Sequence, residues 1–226
     1  MKNKIRKIFI ITGTMLILSA LFLCVYNLRQ SNKAFEQSQE VLTELKELIP
    51  EPVTEAADEE VPTDAPYSED FVNPADDLFA PYEEQEEEEE APQPPAPVEL
   101  DGSYYCGYIT LPALGLELPV VDGWSYEALR YSPCRYSGNA EEKNMIVAAH
   151  NYNNHFGRIG SLNTGDEVIF TDTAGVQHFY EVDYTQYVDG YDVDGMFSGQ
   201  DEEWDLTIFT CTLSGQSRVT VRCVAR

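Results

Sequence analysis

From Ile8 to Leu28 the sequence reads IFIITGTMLILSALFLCVYNL, 21 residues without a formal charge. As a helix this run is long enough to cross a hydrocarbon layer about 30 Å thick. Lys2, Lys4, Arg6 and Lys7 precede it, and Arg29 and Lys33 follow. The stronger positive flank is N-terminal, which predicts a single span with residues 1–7 in the cytoplasm and everything after it outside. A cleavable signal peptide has a shorter apolar core, roughly 7–15 residues, followed by small residues. Here the run ends in Tyr-Asn-Leu-Arg, so the reading is an uncleaved anchor over residues 8–28.

Residues 29–50 carry Phe35, Leu42, Leu45 and Ile49 at near-helical spacing among Glu and Gln, before Pro50. This predicts a short amphipathic juxtamembrane helix, stiff and mostly solvated. Residues 51–100 hold 18 acidic residues and no basic ones, and nine of the thirteen prolines fall between 51 and 98. That composition predicts a disordered acidic stalk. As a coil it reaches roughly 40 Å, further with charge repulsion. The aromatics Tyr67, Phe71, Phe79 and Tyr82 interrupt it. The whole chain has a formal charge of −26, which argues against nucleic-acid binding, since that needs clustered Lys and Arg.

A folded domain is expected over residues 101–226, long enough for one core. Short alternating segments such as YYCGYITLP, LELPVVD, NMIVAAHN, DEVIFTD and SRVTVRCV, punctuated by Gly, Pro, Asn and Asp, predict an all-β, closed or nearly closed barrel. Helical turns are expected at SYEALRY and around NHFGRIGSL.

Two residues capable of chemistry close apolar runs. His150 ends MIVAAH and Cys211 ends LTIFTC, so buried strands would deliver both to a loop mouth. A cysteine in that position is also a common small core residue, or half of a disulfide. Cys106, Cys134 and Cys223 share the same domain, outside the membrane, where bridges are permitted. Arg218 alternates with Val219 on SRVTVRC; a hairpin through TLSGQS would return it beside Cys211, where a guanidinium can hold an oxyanion.

The set His150, Cys211 and Arg218 resembles the catalytic residues of the sortase family. Thr207-Ile-Phe-Thr-Cys211 matches the family's Thr-Leu-x-Thr-Cys with Ile for Leu, and VAAHNYNNHFGRIGSLNTGDEVIF and GYITLPALGLELPVV resemble further family segments over about 104–226. The resemblance implies an eight-stranded barrel with one or two short helices and a cysteine transpeptidase acting on a signal like Leu-Pro-x-Thr-Gly. Its partners would be secreted proteins bearing that signal and an amine acceptor of the cell-wall precursor. On this reading Cys211 is the nucleophile, His150 the general acid, Arg218 the oxyanion or backbone holder, and Thr210 a pocket-lining substrate contact. His155 would face the groove rim or solvent, and His178 would be structural.

No cofactor is expected. The acids Asp189, Asp192, Asp194, Asp201, Glu202 and Glu203 leave calcium as a secondary possibility, because some family members bind it through acidic loops. A zinc site lacks paired ligand spacing. An L,D-transpeptidase places its Cys and His close together, whereas here 61 residues separate them. The non-enzyme alternative is a tethered barrel with a disulfide-bonded Cys211. Within the family, a pilin-polymerising enzyme would carry a lid, which DDLFAPY matches poorly, and often a second span. The sequence ends at Arg226, just after the last strand-like segment, so wall anchoring is the favoured role.

Overall fold

The strand-like segments close on themselves in the computed structural model, which describes residues 2–51, 94–200 and 203–226. The strands are β1 (Val98–Leu100), β2 (Ser103–Leu111), β3 (Leu116–Val121), β4 (Cys134–Ser137), β5 (Met145–Ala148), β6 (Glu167–Asp172), β7 (Gln177–Asp189), β8 (Leu206–Cys211) and β9 (Ser217–Ala225). They run in the order β1-β2-β3-β4-β5-β8-β9-β7-β6, and a β2–β6 pairing joins the ends. Eight strands thus form the expected barrel, with β1 as a short flap hairpinned onto β2. Closure removes the exposed edges that an open sheet would offer.

Two strands lie outside the segments expected from sequence. β1 begins before the expected boundary at 101, and its turn is Asp101-Gly102 with both φ positive, 49° and 75°. An Asp-Gly pair of that conformation suits a two-residue hairpin, because its twist matches that of the strands. β4 is only four residues, too short to show alternation. The two expected helical turns are 3-10 turns at Ala128–Arg130 and Phe156–Ser161. A further helix, α2 (Val193–Phe197), lies in the acidic loop, where the Asp192 side chain accepts from the Gly195 N–H at its start.

Inside the barrel Ile109, Leu118, Val147, Val168, Ile208 and Val221 form the main core. β5 is buried on both faces, which is why it reads as an unbroken apolar run. Met145 and Val147 face the interior core, while Ile146 and Ala148 join Met196, Trp204 and Phe209 in an outer cluster. The segment between β7 and β8 therefore lies over the outer face of β5 and β8.

Helix α1 (Lys2–Leu48) is continuous through the apolar run and beyond it. Residues 9–28 are exposed apart from half-buried Gly13, but Ser31, Ala34, Ser38, Leu42, Leu45 and Ile49 are buried. Their spacing of three and four residues makes one stripe. The expected solvated stalk helix is corrected here: Leu42, Leu45 and Ile49 pack against Tyr105, Tyr108 and Val121 on the barrel's outside. Gln39 Nε2 donates to the Glu117 carbonyl at 2.8 Å, and Lys46 Nζ pairs with Glu117 Oε2 at 2.6 Å. Burying three aliphatic side chains favours this docking by roughly 1.5–3 kcal/mol each. Most of the acidic stalk, with Tyr67, Phe71, Phe79, Tyr82 and the DDLFAPY segment, lies outside the described residues.

Candidate active site

β5 and β8 run parallel, with Ala148 opposite Phe209, so their C-terminal ends emerge at the same edge of the barrel. The Ala149 N–H donates to the Phe209 carbonyl at 3.1 Å, and the Thr210 hydroxyl donates to the Ala149 carbonyl at 2.8 Å. These bonds hold the backbone just before His150 against the backbone just before Cys211. β8 then turns back into β9, with the Thr212 N–H donating to the Ser217 carbonyl at 2.9 Å and Gly215 at φ 73°. The resulting register makes Cys211 and Arg218 direct cross-strand partners.

His150, Cys211 and Arg218 line one cavity of about 260 Å³. Trp124, Tyr126 and Tyr136 line it together with Val193 and Met196 of the α2 segment. Tyr136 is central to the aromatic packing, with its ring centroid 5.6 Å from both Trp124 and Phe209. Sequence reasoning missed Trp124, Tyr126 and Tyr136; their signal was the aromatic density of WSYEALRYSPCRY. Thr210, expected to line the groove, is instead buried at 2% exposure with its hydroxyl committed to Ala149. Its place in the structure is behind the site.

Arg218 Nη1 donates to the Gly215 carbonyl at 3.0 Å, which folds the guanidinium over its own hairpin. It lies against Gly190, where an added Cβ would stand 3.1 Å from Nη1 and 2.8 Å from the Gln216 carbonyl. Four residues further along, Arg222 shares the outer face of β9 but is fully buried. It stacks on Trp204 at 4.5 Å and donates to Thr207 Oγ1 at 2.6 Å and to the Gly195 carbonyl at 2.9 Å. That last bond ties the α2 wall of the groove to β9.

His150 is half-buried, and its pKa is lowered first by burial and then by the Arg130 guanidinium. His155 does not face the rim or solvent as expected. It is fully buried, its ring 5.6 Å from Tyr152, which in turn lies 5.1 Å from His150. Burial, and secondarily His150, bring its pKa down to about 4.

All five cysteines are free thiols. Cys211 cannot reach Cys223, because Cys223 pairs with Leu206 at the far end of the same ladder. Five strand steps are about 17 Å, against a Cα separation of under about 7 Å for a disulfide. Burial pushes the Cys106 and Cys134 thiols up to about 12, and Cys223 is also raised, so none of the three is a ready nucleophile.

Among the described residues one group has metal-ligand geometry: Glu141, Asp172 and His178, whose Nε2 is 3.2 Å from Asp172 Oδ2. It lies beyond the Met145 end of β5, away from the groove. In the acidic loop Asp189 and Asp192 each accept a backbone N–H of their own turn, and Asp201 and Glu202 lie outside the described residues.

A family model, the Sortase domain, matches residues 109–226, more than half of the chain. The chain belongs to the sortase family, and with it to a class of cysteine transpeptidases. No curated protein sequence matches it. Among solved structures it is similar to sortase A from Corynebacterium diphtheriae, with 21% identity and a TM-score of 0.50, over 55% of this chain and 61% of that one. It is also similar to a Clostridium perfringens sortase D5 transpeptidase, with 23% identity and a TM-score of 0.48, over 54% and 79%. The sortase-like barrel expected from the sequence is the fold the chain adopts.

Proposed function

We propose that this sortase is anchored in a membrane by residues 8–28 and acts outside it on secreted proteins. It cleaves a sorting signal resembling Leu-Pro-x-Thr-Gly between Thr and Gly, then transfers the new acyl end to an amine of a cell-wall precursor. The observation that carries this reading is the cross-strand pairing of Cys211 with Arg218 at a groove both share with His150.

The Cys211 thiolate attacks the Thr carbonyl carbon, and the carbonyl electrons move onto oxygen. Arg218 faces that oxyanion with a charge that becomes most favourable as the oxyanion develops. On collapse the C–N bond to Gly breaks, and the departing amine takes a proton from the His150 imidazolium. The thioester then accepts an incoming amine, whose proton returns to His150, and the Cys211 thiolate leaves. The Trp124–Tyr136 wall offers apolar surface for the Leu and Pro of the signal. Helix α1, with one segment long and apolar enough to span a bilayer, supports the anchoring. The positive flank supports a cytoplasmic N-terminus.

The test is intact-mass spectrometry of the full chain in neutral detergent, mixed with a Leu-Pro-x-Thr-Gly peptide pool and then with an amine. An acyl adduct that is passed to the amine and is lost in Cys211→Ala is the expected result. A free Cys211 with no adduct from any peptide in the pool refutes the assigned substrate class.

A further inference from the structure

A second cavity, about 520 Å³, lies between α1 and the barrel. Asn27, Gln30 and Lys33 line it from the helix, and Arg130, Tyr131 and His150 from the barrel. His150 is the one residue that lines both this cleft and the Cys211 groove. Three features of the cleft converge on one kind of occupant.

The first is charge. In a chain of net charge −26, Lys33 and Arg130 face this single cavity, and no carboxylate lines it. Neither cation has an ion-pair partner among the described residues. The second is height. Asn27 belongs to the last turn of the uncharged run, and Lys33 lies five residues past Leu28, about 8 Å along a helix. The interfacial layer on each side of a bilayer is about 5–8 Å thick, so the cleft sits at headgroup level when residues 8–28 span the membrane. The third is donor chemistry. The Asn27 and Gln30 amides and the Tyr131 phenol add hydrogen-bond donors suited to phosphate oxygens, beside two cations that satisfy its charge.

We propose that this cleft holds the phosphate-bearing headgroup of an anionic membrane phospholipid, bridging Lys33 of α1 to Arg130 of the barrel. The headgroup would fix the upper end of the α1–barrel contact, which the Leu42–Ile49 stripe fixes at the lower end. This inference rests on the membrane-spanning reading of α1 and is independent of the chemistry assigned to Cys211.

The experiment reconstitutes the full chain into nanodiscs of equal phosphatidylglycerol and phosphatidylcholine, releases it in neutral detergent and weighs it by native mass spectrometry. The expected result is one retained phosphatidylglycerol per chain, preferred at least tenfold over phosphatidylcholine. Retention should be lost in Lys33→Glu and in Arg130→Glu, both at exposed positions, and kept in Lys143→Glu, a matched reversal before the opposite end of β5. Equal retention of the two lipids, or retention unchanged by Lys33→Glu and Arg130→Glu, overturns the site. Displacement of the lipid by inorganic phosphate at equimolar concentration would make it a site for soluble anions and overturn the lipid assignment. A chain that fails to enter the discs refutes the anchoring itself, and the site with it.

Discussion

Replacing His155 with Leu should remove an acid-sensitive term from the stability of this fold. The imidazole is fully buried, and neither ring nitrogen has a hydrogen-bond partner. Its folded pKa is about 4, lowered from 6.5 by burial and, secondarily, by His150. In the unfolded chain the same ring titrates near 6.5, so between the two values the unfolded state holds a proton that the folded state refuses. The term is therefore neutral above about pH 6.5 and lost stability accumulates as pH falls, at about 1.4 kcal/mol per unit. By pH 4 it amounts to about 3 kcal/mol, and below that it levels off. Carboxylates also titrate in this range, but they do so in both proteins, so the difference between wild type and His155→Leu isolates the imidazole. The assay is urea unfolding of the full chain in neutral detergent, followed by the fluorescence of buried Trp204, at several pH values between about 7.5 and 4. The Leu variant should match or exceed wild-type stability near neutrality, because two unsatisfied polar atoms are gone. Its advantage should then grow by about 3 kcal/mol toward pH 4. Parallel pH profiles for the two proteins would refute the reasoning, since they would mean that His155 is solvated or paired.

Four further outcomes follow from the site and its supports. Gly190→Ala should displace Arg218, because the new methyl meets Nη1 and stands 2.8 Å from the Gln216 backbone carbonyl; acylation should slow on the order of 10²-fold by single-turnover kinetics, with a lowered unfolding midpoint as the backbone gives way. Thr210→Val should leave the Ala149 carbonyl without its buried donor, costing about 1–3 kcal/mol in urea unfolding and slowing acylation at least as much as stability alone requires. Arg130→Gln should move the His150 ionisation upward, because a nearby cation is removed while burial remains; histidine-labelled NMR titration reads the midpoint, and an unchanged value would exclude Arg130 as a cause. Leu45→Ala should weaken α1 docking by about 2–5 kcal/mol and raise amide exchange over residues 31–49 while the β8–β9 ladder stays protected.

The residues legible in the sequence are those whose evidence is local. His150 and Cys211 each close an apolar run, and Arg218 sits one hairpin away from Cys211, so a strand period and a turn suffice to bring Cys211 and Arg218 together. What placed His150 beside them is the parallel pairing of β5 with β8, a contact between segments about 60 residues apart that no local period contains. Here the family resemblance supplied what periodicity could not. Arg222 shows the limit from the other side. Alternation assigns it correctly to the outer face of β9, but whether that face meets water depends on a covering layer drawn from elsewhere, the segment carrying Gly195 and Trp204. The same reason hid the docking of α1. Half of its buried stripe is Ser31, Ala34 and Ser38, small residues that permit close approach but add little apolar signal, so the spacing of Phe35, Leu42, Leu45 and Ile49 showed only part of the stripe. His155 was misplaced because a polar residue in a loop reads as exposed, yet the loop folds into a 3-10 turn whose Phe156 and Ile159 enter the core and take the adjacent imidazole with them. In each case period identifies the face of an element, and only the tertiary layer beyond it decides whether that face is surface, interface or site.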